Sequence, residues 1–426
     1  MTVSRRHRLG RYTVPLQRQR PLERCPVTRN RRLGCITPPH LLAKLLESSD
    51  EEVRRAAMST LLDTSRLRGE RAVRASLMRT AAPAQGRRTI FDCQNGTILA
   101  AAVLARSEDG DASADPSVNQ AFDGFGTTRQ FYLDVLNRNS IDDQGMRLQG
   151  YVHRGVRYNN AFWDGLEMVF GDGDGIVFTD FTRSLDVIAH ELTHGVTDFT
   201  SGFEYQNQSG ALNESLSDAM GSIVKQWSLG QTAEDADWLI GAEVFTPEIG
   251  ADALRSMKAP GGAYDNELLG KDPQPAHMDQ FVVLPDTDEG DNGGVHINSG
   301  IPNKAFYLTA IGIGGYAWEA PGHIWYESLR ASSATTVFQE FADTTYAKAA
   351  ELYGAHSAEQ QAVQAAWRDV GITLSQVPAA DQSTCEPSAP TDGSSMEALT
   401  RQIAVLSTQI ETLTSDIQAL AGRAGG

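Results

Sequence analysis

His190-Glu191-Leu192-Thr193-His194, followed by Asn213-Glu214-Ser215-Leu216-Ser217-Asp218, is the stretch on which the reading of this chain turns. On a helix, residues four apart share one face, so both imidazoles can reach one tetrahedral cation. Glu191 is rotated by about 100° from His190. It leaves the ligand row but can reach a water on that cation. Zinc lowers the pKa of such a water toward ~7, and a carboxylate can take its proton as it attacks a carbonyl. Leu185, Val187, Ile188, Leu192 and Val196 give the helix one apolar side, with Ser184 or Thr182 as its N-cap. Gly195 reads as a point where another backbone approaches. A second helix carries Glu214 and Asp218, again four apart. Glu214 completes three protein ligands and leaves a fourth position open, as catalytic zinc sites require. Asp218 is read as the acceptor for the other N–H of a ligand histidine. Two histidines on an amphipathic helix are otherwise an ordinary core feature; the carboxylates at these spacings favour zinc.

Other motifs lie around this centre in a fixed order. They are Asn159-Asn160-Ala161-Phe162-Trp163-Asp164-Gly165, then Gly171-Asp172-Gly173-Asp174-Gly175, then Tyr205-Gln206-Asn207-Gln208-Ser209-Gly210. Leu254-Arg255-Ser256-Met257 follows, and last comes Asp291-Asn292-Gly293-Gly294-Val295-His296-Ile297-Asn298-Ser299-Gly300. In this order and spacing, roughly residues 88 to 374 resemble the thermolysin family of neutral zinc metallopeptidases. The resemblance implies that Asn160 and Ala161 belong to an edge strand that pairs with the substrate backbone. It implies that Tyr205 and His296 donate to the oxyanion, with Asp291 holding His296. Arg255 would bind a substrate carbonyl, and Phe178, Val187, Ile240 and Leu254 would form an apolar pocket for the residue after the scissile bond. Each role has a physical sense, because donors aimed at a developing oxyanion stabilise the transition state. Taken alone, His296 would read as a buried histidine in a Gly-rich turn and Tyr205 as a core aromatic. Burying a Leu or Phe side chain is worth about 1.5–3 kcal/mol, so cleavage before bulky apolar residues is expected.

One departure concerns calcium. The family's namesake binds paired calcium ions beside the active helix, and calcium needs six to eight oxygens. Of the matching positions here, Asp186 and Asp237 stay acidic, whereas the others are Lys225, Leu239 and Ala242. Lys225 is expected to pair with Asp186 and Asp237 in place of the metal; the bland alternative is a lysine facing solvent. This leaves room for calcium elsewhere, for example near Thr246 and Asp252. Gly171–Gly175 lacks the distal Glu of an EF-hand loop and reads as a hairpin turn.

The chain has 426 residues, enough for two or three domains. Its net charge of −17 argues against nucleic acid as a partner. Residues 1–34 run against that balance, with ten arginines and one acid, Glu23. They lack the apolar run of a classical signal peptide and read as a disordered tail. No stretch is apolar enough for a transmembrane helix. Cys25, Cys35, Cys93 and Cys385 show neither Cys-x-x-Cys spacing nor disulfide-framework density and read as mostly free thiols. The resemblance points to secretion and the visible sequence does not, so export and a cytoplasmic location both stand open.

The organisation expected is an Arg-rich tail (1–33), a short propeptide (34–87), an N-terminal catalytic lobe with the active helix (88–195), a helical lobe (196–374), a linker (375–395) and a coiled-coil helix (396–421). The fold class is α+β: a sheet-rich lobe and a helical lobe joined by a central helix. Strands are expected at Thr97–Leu104, Arg147–Val152, Glu167–Phe170 and Ile176–Phe178, and helices at Pro116–Arg138, 184–199 and Ser357–Val370. The short propeptide, opening Cys35-Ile36-Thr37-Pro38-Pro39-His40-Leu41-Leu42, resembles that of the protealysin branch. It would occupy the cleft until cleavage within 78–88. Cys35 reads as an inert thiol before a zinc latch. Leu399, Ile403, Leu406, Ile410, Leu413, Ile417 and Leu420 alternate at spacings of four and three, the pattern of a two-stranded coiled coil and hence a homodimer. The alternative is a lone helix packed on its own domain. The function expected is a zinc endopeptidase made as a zymogen. The rival is a catalytically silent zinc scaffold oligomerised by its last helix.

Overall fold

The computed structural model describes residues 34–77 and 88–375. The Arg-rich tail, the 78–87 junction, the linker from 376 onward, the heptad segment at 396–421, Cys25 and Cys385 lie outside the described residues. Helix α1 (Pro39–Leu45) starts with proline at its first position, where the fixed φ is pre-set and no N–H is missed. Helix α2 (Glu51–Leu77) carries Glu51 and Glu52 in its first turn, which suits the positive end of the helix dipole. Leu41, Leu42 and Leu45 of α1 and Val53 and Ala57 of α2 are buried.

The sheet holds β1 (Arg88–Asp92), β2 (Val103–Ser107), β3 (Leu148–Val152), β4 (Ala161–Trp163) and β5 (Met168–Phe170) in the order β2-β1-β3-β5-β4. β1–β3 and β3–β5 are parallel, whereas β1–β2 and β4–β5 are antiparallel. β4 is therefore an edge. Helix α3 (Pro116–Leu136) lies over the sheet. Asp115 caps it by accepting from Ser117 N at 2.9 Å, and Asn137, at φ 51°, ends it in the left-handed conformation. Gly150 of β3 permits the contact, because a Cβ there would come 2.8 Å from Phe125 of α3.

Three expectations for this lobe need correction. Thr97–Leu104 is not one strand: Leu99–Ala101 closes a 3-10 turn through Ala101 N→Ile98 O (3.0 Å), and pairing with β1 starts only at Val103. Ile176–Phe178 is not a strand either. Asp174 Oδ1 accepts from the N–H groups of Ile176, Val177 and Phe178 at 2.7–3.0 Å and curls the segment, so only Phe178 forms a bridge, to Phe245. For the same reason Gly171–Gly175 is an Asp174-held loop following β5 rather than a hairpin turn.

The central helix α4 (Leu185–Asp198) packs closely on α5 (Asn207–Leu229), with which the second lobe opens. Short ribbons follow: β6 (Leu239–Ile240) with β7 (Arg255–Ser256), and β8 (Asp265–Asn266) with β9 (Gly270–Lys271). Then come α6 (Asp291–Asn298), α7 (Gly300–Ile313), α8 (Ala320–Ala331), α9 (Phe338–Tyr353) and α10 (Ala358–Asp369). Their core is aromatic: Trp325 stacks with Trp367 at 6.2 Å, and the Trp367 indole N–H donates to Thr345 Oγ1 at 2.8 Å. The molecule is α+β as expected, with the central helices α4 and α5 carrying the metal-ligand motif.

Candidate metal centre and cleft

Helix α4 is buried along almost its whole length. Ser184 stands at its N-cap position, but its hydroxyl lies 2.6 Å from both Asp186 Oδ1 and Glu243 Oε2 and accepts no bond from the helix. Gly195 meets side chains, not backbone as expected: a Cβ there would come 3.0 Å from Ile141 and 3.2 Å from Trp163. The close backbone approach occurs at Gly221 of α5, against Asp186 O.

That crossing brings His190, His194 and Glu214 together. Their ligand atoms lie within 4.8 Å of one another, and all three residues are buried. His190 Nε2 and His194 Nε2 stand 3.0 Å apart, and each lies 3.4 Å from a Glu214 oxygen. Tetrahedral zinc with donors at ~2.0–2.1 Å needs them about 3.3–3.4 Å from one another. Glu214 Oε2 has no hydrogen-bond partner within the buried site. Two imidazoles, one carboxylate and an orphaned oxygen thus fit a zinc ion.

The outer atoms of these rings are fixed. His190 Nδ1 lies 2.8 Å from Asp218 Oδ1, as expected for Asp218. Arg255 Nε and Nη2 donate to the two Asp218 oxygens at 2.8 Å, and Asn303 Nδ2 donates at 2.8 Å. Burial opposes the Asp218 charge, but Arg255 and His190 outweigh it and hold the carboxyl down at about 2. His194 Nδ1 faces Asn213 Oδ1 at 2.8 Å and Ser217 Oγ at 3.1 Å. Neither Asn213 nor Ser217 was anticipated. Their spacing of four on the Glu214 helix is the signal that would have found them.

Glu191 is fully buried; its Oε2 accepts from Trp163 N at 2.9 Å while Oε1 has no partner. Burial pushes the carboxyl up to about 8 against the pull of His190. A divalent cation alongside would favour the ionised form. Tyr205 donates to Glu214 Oε1, and its hydroxyl lies 3.3 Å from His296 Nε2. Asn292, Gly293 and Gly294 have φ of 51°, 85° and 80°. This left-handed turn folds Asp291 back so that Oδ2 accepts from His296 N at 2.8 Å while Oδ1 meets the ring Nδ1. Burial works against a protonated His296, but Glu214 and Asp291 raise it to about 9.

Across the cleft lies the chain's own beginning. Cys35 bridges antiparallel to Phe162 of β4. Ile36 N donates to Ala161 O at 3.1 Å, and Thr37 N donates to Asn160 Oδ1 at 3.0 Å. Arg255 Nη1 donates to Ile36 O at 3.0 Å, and His296 Nε2 meets Cys35 O at 2.8 Å. Ile36 is completely buried. The Cys35 side chain packs in an apolar cluster with Tyr158, Phe162 and Val169, and its carbonyl meets His296. Phe178, Val187, Ile240 and Leu254 are all buried, and the β6–β7 pairing sets Ile240 opposite Arg255, beside Leu254.

Lys225 Nζ lies 3.2 Å from Asp186 Oδ2 and 3.1 Å from Asp237 Oδ2, the pairing expected from the sequence. Glu243 joins them at 3.7 Å, which the sequence did not suggest. Burial pushes the Asp186 carboxyl up, with Lys225 opposing it.

An edge strand beside a His-Glu-x-x-His helix, with a third ligand on the next helix, defines a zinc metallopeptidase. The comparisons make this particular. Residues 79–198 match the family model described as thermolysin metallopeptidase, catalytic domain, and residues 201–372 match that described as thermolysin metallopeptidase, alpha-helical domain. The chain belongs to the thermolysin family, on its protealysin-like branch. It is 45% identical to an extracellular metalloprotease of Pectobacterium carotovorum over 82% of this chain and 99% of that one. It is 43% identical to protease PrtS of a Photorhabdus strain, over 80% and 92%. Among solved structures, the precursor of protealysin from Serratia proteamaculans matches with a TM-score of 0.71 and 44% identity, covering 80% of this chain and all of that one. Zinc is the metal of this family, and peptides or proteins are its substrates.

Proposed function

We propose that the protein is a zinc endopeptidase made as a zymogen, cutting before bulky apolar residues, with residues 34–77 as the inhibitory pro-segment. The observation that carries this reading is the placement of Cys35 O against His296 and Ile36 O against Arg255, in a cleft walled by the metal-ligand group. A bound zinc, held by His190, His194 and Glu214, would polarise the attacked carbonyl and acidify the attacking water. Glu191 takes the water's proton at its unpartnered Oε1 while Trp163 N keeps its other oxygen in place. Tyr205 and His296 donate to the oxyanion, and Asp291 keeps His296 oriented and charged. Asn160, Ala161 and Arg255 hold the substrate backbone. Phe178, Val187, Ile240 and Leu254 receive the apolar side chain after the scissile bond. Asp218 fixes both His190 and Arg255, so one carboxylate ties the metal side of the cleft to the substrate side.

The pro-segment is anchored beyond the cleft. Thr60 Oγ1 accepts from Asn159 N at 3.0 Å, Thr64 Oγ1 meets Tyr158 OH at 3.0 Å, and Arg154 donates to Asp63 at 3.2 Å. Among the described residues no helix is long and apolar enough to cross a membrane. Action outside the cell is the location we propose, in keeping with the Pectobacterium relative, which is named as an extracellular metalloprotease. Dimerisation through 399–420 is retained as a proposal from the sequence. A silent scaffold has no use for a buried, half-satisfied Glu191 aimed at the metal group.

Hydrolysis of casein by the processed, zinc-loaded protein tests the reading. Glu191→Ala should keep its zinc and lose all hydrolysis. A fully active Glu191→Ala protein, or a wild-type protein that binds zinc and cuts neither casein nor a peptide library, would refute it. A library profile dominated by acidic residues after the cut would refute the pocket assignment.

A further inference from the structure

We propose that the protein cuts itself between Cys35 and Ile36, so that the pro-segment is its first substrate and not only its plug; this rests on the endopeptidase reading above. Four backbone contacts fix which bond lies at the centre. His296, the oxyanion donor, meets the Cys35 carbonyl at 2.8 Å. The following N–H, that of Ile36, donates to Ala161 O at 3.1 Å. The next carbonyl and the next N–H are bound by Arg255 (3.0 Å) and by Asn160 Oδ1 (3.0 Å). The chain passes directly over a metal ligand just before this bond, since a Cβ on Gly34 would lie 3.0 Å from His194 Nε2. Only a residue without a side chain passes there undisturbed.

Register is fixed from both sides. Ile36, bulky and apolar, is completely buried. A slip of one residue would replace it with polar Thr37 and put Pro38, which has no N–H, where Thr37 now donates to Asn160. Pro39 then starts α1 and turns the chain away from β4.

The step balances as a hydrolysis. Water oxygen bonds to the Cys35 carbonyl carbon, and Glu191 takes a proton from it. The bond from that carbon to Ile36 N breaks, and Glu191 passes the proton to the departing amine. The new carboxyl group of Cys35 gives up the water's second proton to the freed amine, so one product ends in the Cys35 carboxylate and the other begins with the Ile36 ammonium. Residues 36–77 still hold the Thr60, Thr64 and Asp63 contacts described above, so this cut by itself does not clear the cleft.

Full-length protein purified with and without zinc, followed by intact mass and N-terminal sequencing, tests the proposal. The expected early product of the zinc-loaded wild type is a chain starting at Ile36, formed at a rate independent of protein concentration. It should be absent without zinc and in Glu191→Ala, fall at least tenfold in Ile36→Asp, and persist in Ile36→Leu. In Glu191→Ala, with or without zinc, the Ile36 and Thr37 amides should be protected from hydrogen exchange. Casein hydrolysis with new N-termini only at other positions overturns this proposal and leaves the endopeptidase reading standing. So do Ile36 and Thr37 amides exchanging at free-chain rates, or an Ile36 terminus formed equally in Glu191→Ala. Loss of casein hydrolysis and of self-cleavage together overturns both.

Discussion

Gly221 of α5 rests against the carbonyl of Asp186 on α4, so closely that a Cβ at 221 would lie 2.6 Å from that oxygen and 3.3 Å from His190 N. The crossing sets the distance between the helix that bears two ligands and the helix that bears the third. A methyl at this point meets backbone, which cannot swing aside. Gly221→Ala should therefore cost about 1–3 kcal/mol, the range for overpacking. Thermal unfolding of the zinc-loaded protein would show a Tm lowered by several degrees, with weaker zinc retention because Glu214 is pushed outward. An unchanged Tm would mean that the helices do not cross this tightly.

Asn213 holds His194 at Nδ1, as Asp218 holds His190. Removing such a partner typically costs 10–100-fold in metal affinity. Asn213→Ala should weaken zinc binding within about that range, read by competition with a chromophoric chelator. Its casein activity should recover when excess zinc is supplied.

Lys225 sets one positive charge among Asp186, Asp237 and Glu243. Breaking a fully buried pair costs roughly 3–5 kcal/mol. Here Asp237 and Glu243 are about half exposed (47% and 46%), so solvent relieves part of the loss. Lys225→Met should destabilise by about 2–3 kcal/mol in denaturant melts, with hydrolysis retained at low temperature. A neutral effect would mean that the ammonium is solvated and the carboxylates need no partner.

His153 is clamped between Asp172 (2.8 Å) and Asp115 (2.7 Å), the residue that also caps α3. Its hydrogen bond to Asp172 is the chief influence, burial opposes it, Asp115 assists, and the ring is raised from 6.5 to about 9. The charged ring's contribution to stability is thus complete below about 6.5 and lost as pH climbs through about 9. Tm should fall over that window in the wild type and fall less in His153→Gln.

What could be read in advance follows from which interactions are local. His190, His194 and Glu214 were legible because helical spacing converts sequence separation directly into a shared face. Lys225 was legible because its pairing needs only the two acids Asp186 and Asp237 that the sequence already offered. Glu243 was not, since it reaches Lys225 only through the loop after β6. Strand β1 was missed because Arg88–Asp92 is short and owes its conformation to partners far along the chain, Leu148–Val152 among them. Ile176–Phe178 looked like a strand by composition, but one carboxylate, that of Asp174, collects its N–H groups. The contact that matters most for the cleft, His296 to Cys35 O, uses a main-chain carbonyl, and every residue carries one of those.

Strand β4 pairs with the rest of the sheet along one margin only; the other takes residues 35–36, and whatever lies there must first become a strand itself. A target protein must therefore give up about four residues of its own folded backbone before it can be cut, at a cost of roughly 1–2 kcal/mol of ordering per residue. Native domains with tight surfaces escape on this ground alone, whatever their side chains. Frayed ends, long loops and partly unfolded chains do not. On the proposed alignment of substrate along this edge, local looseness in the victim decides what is admitted as much as any side chain does.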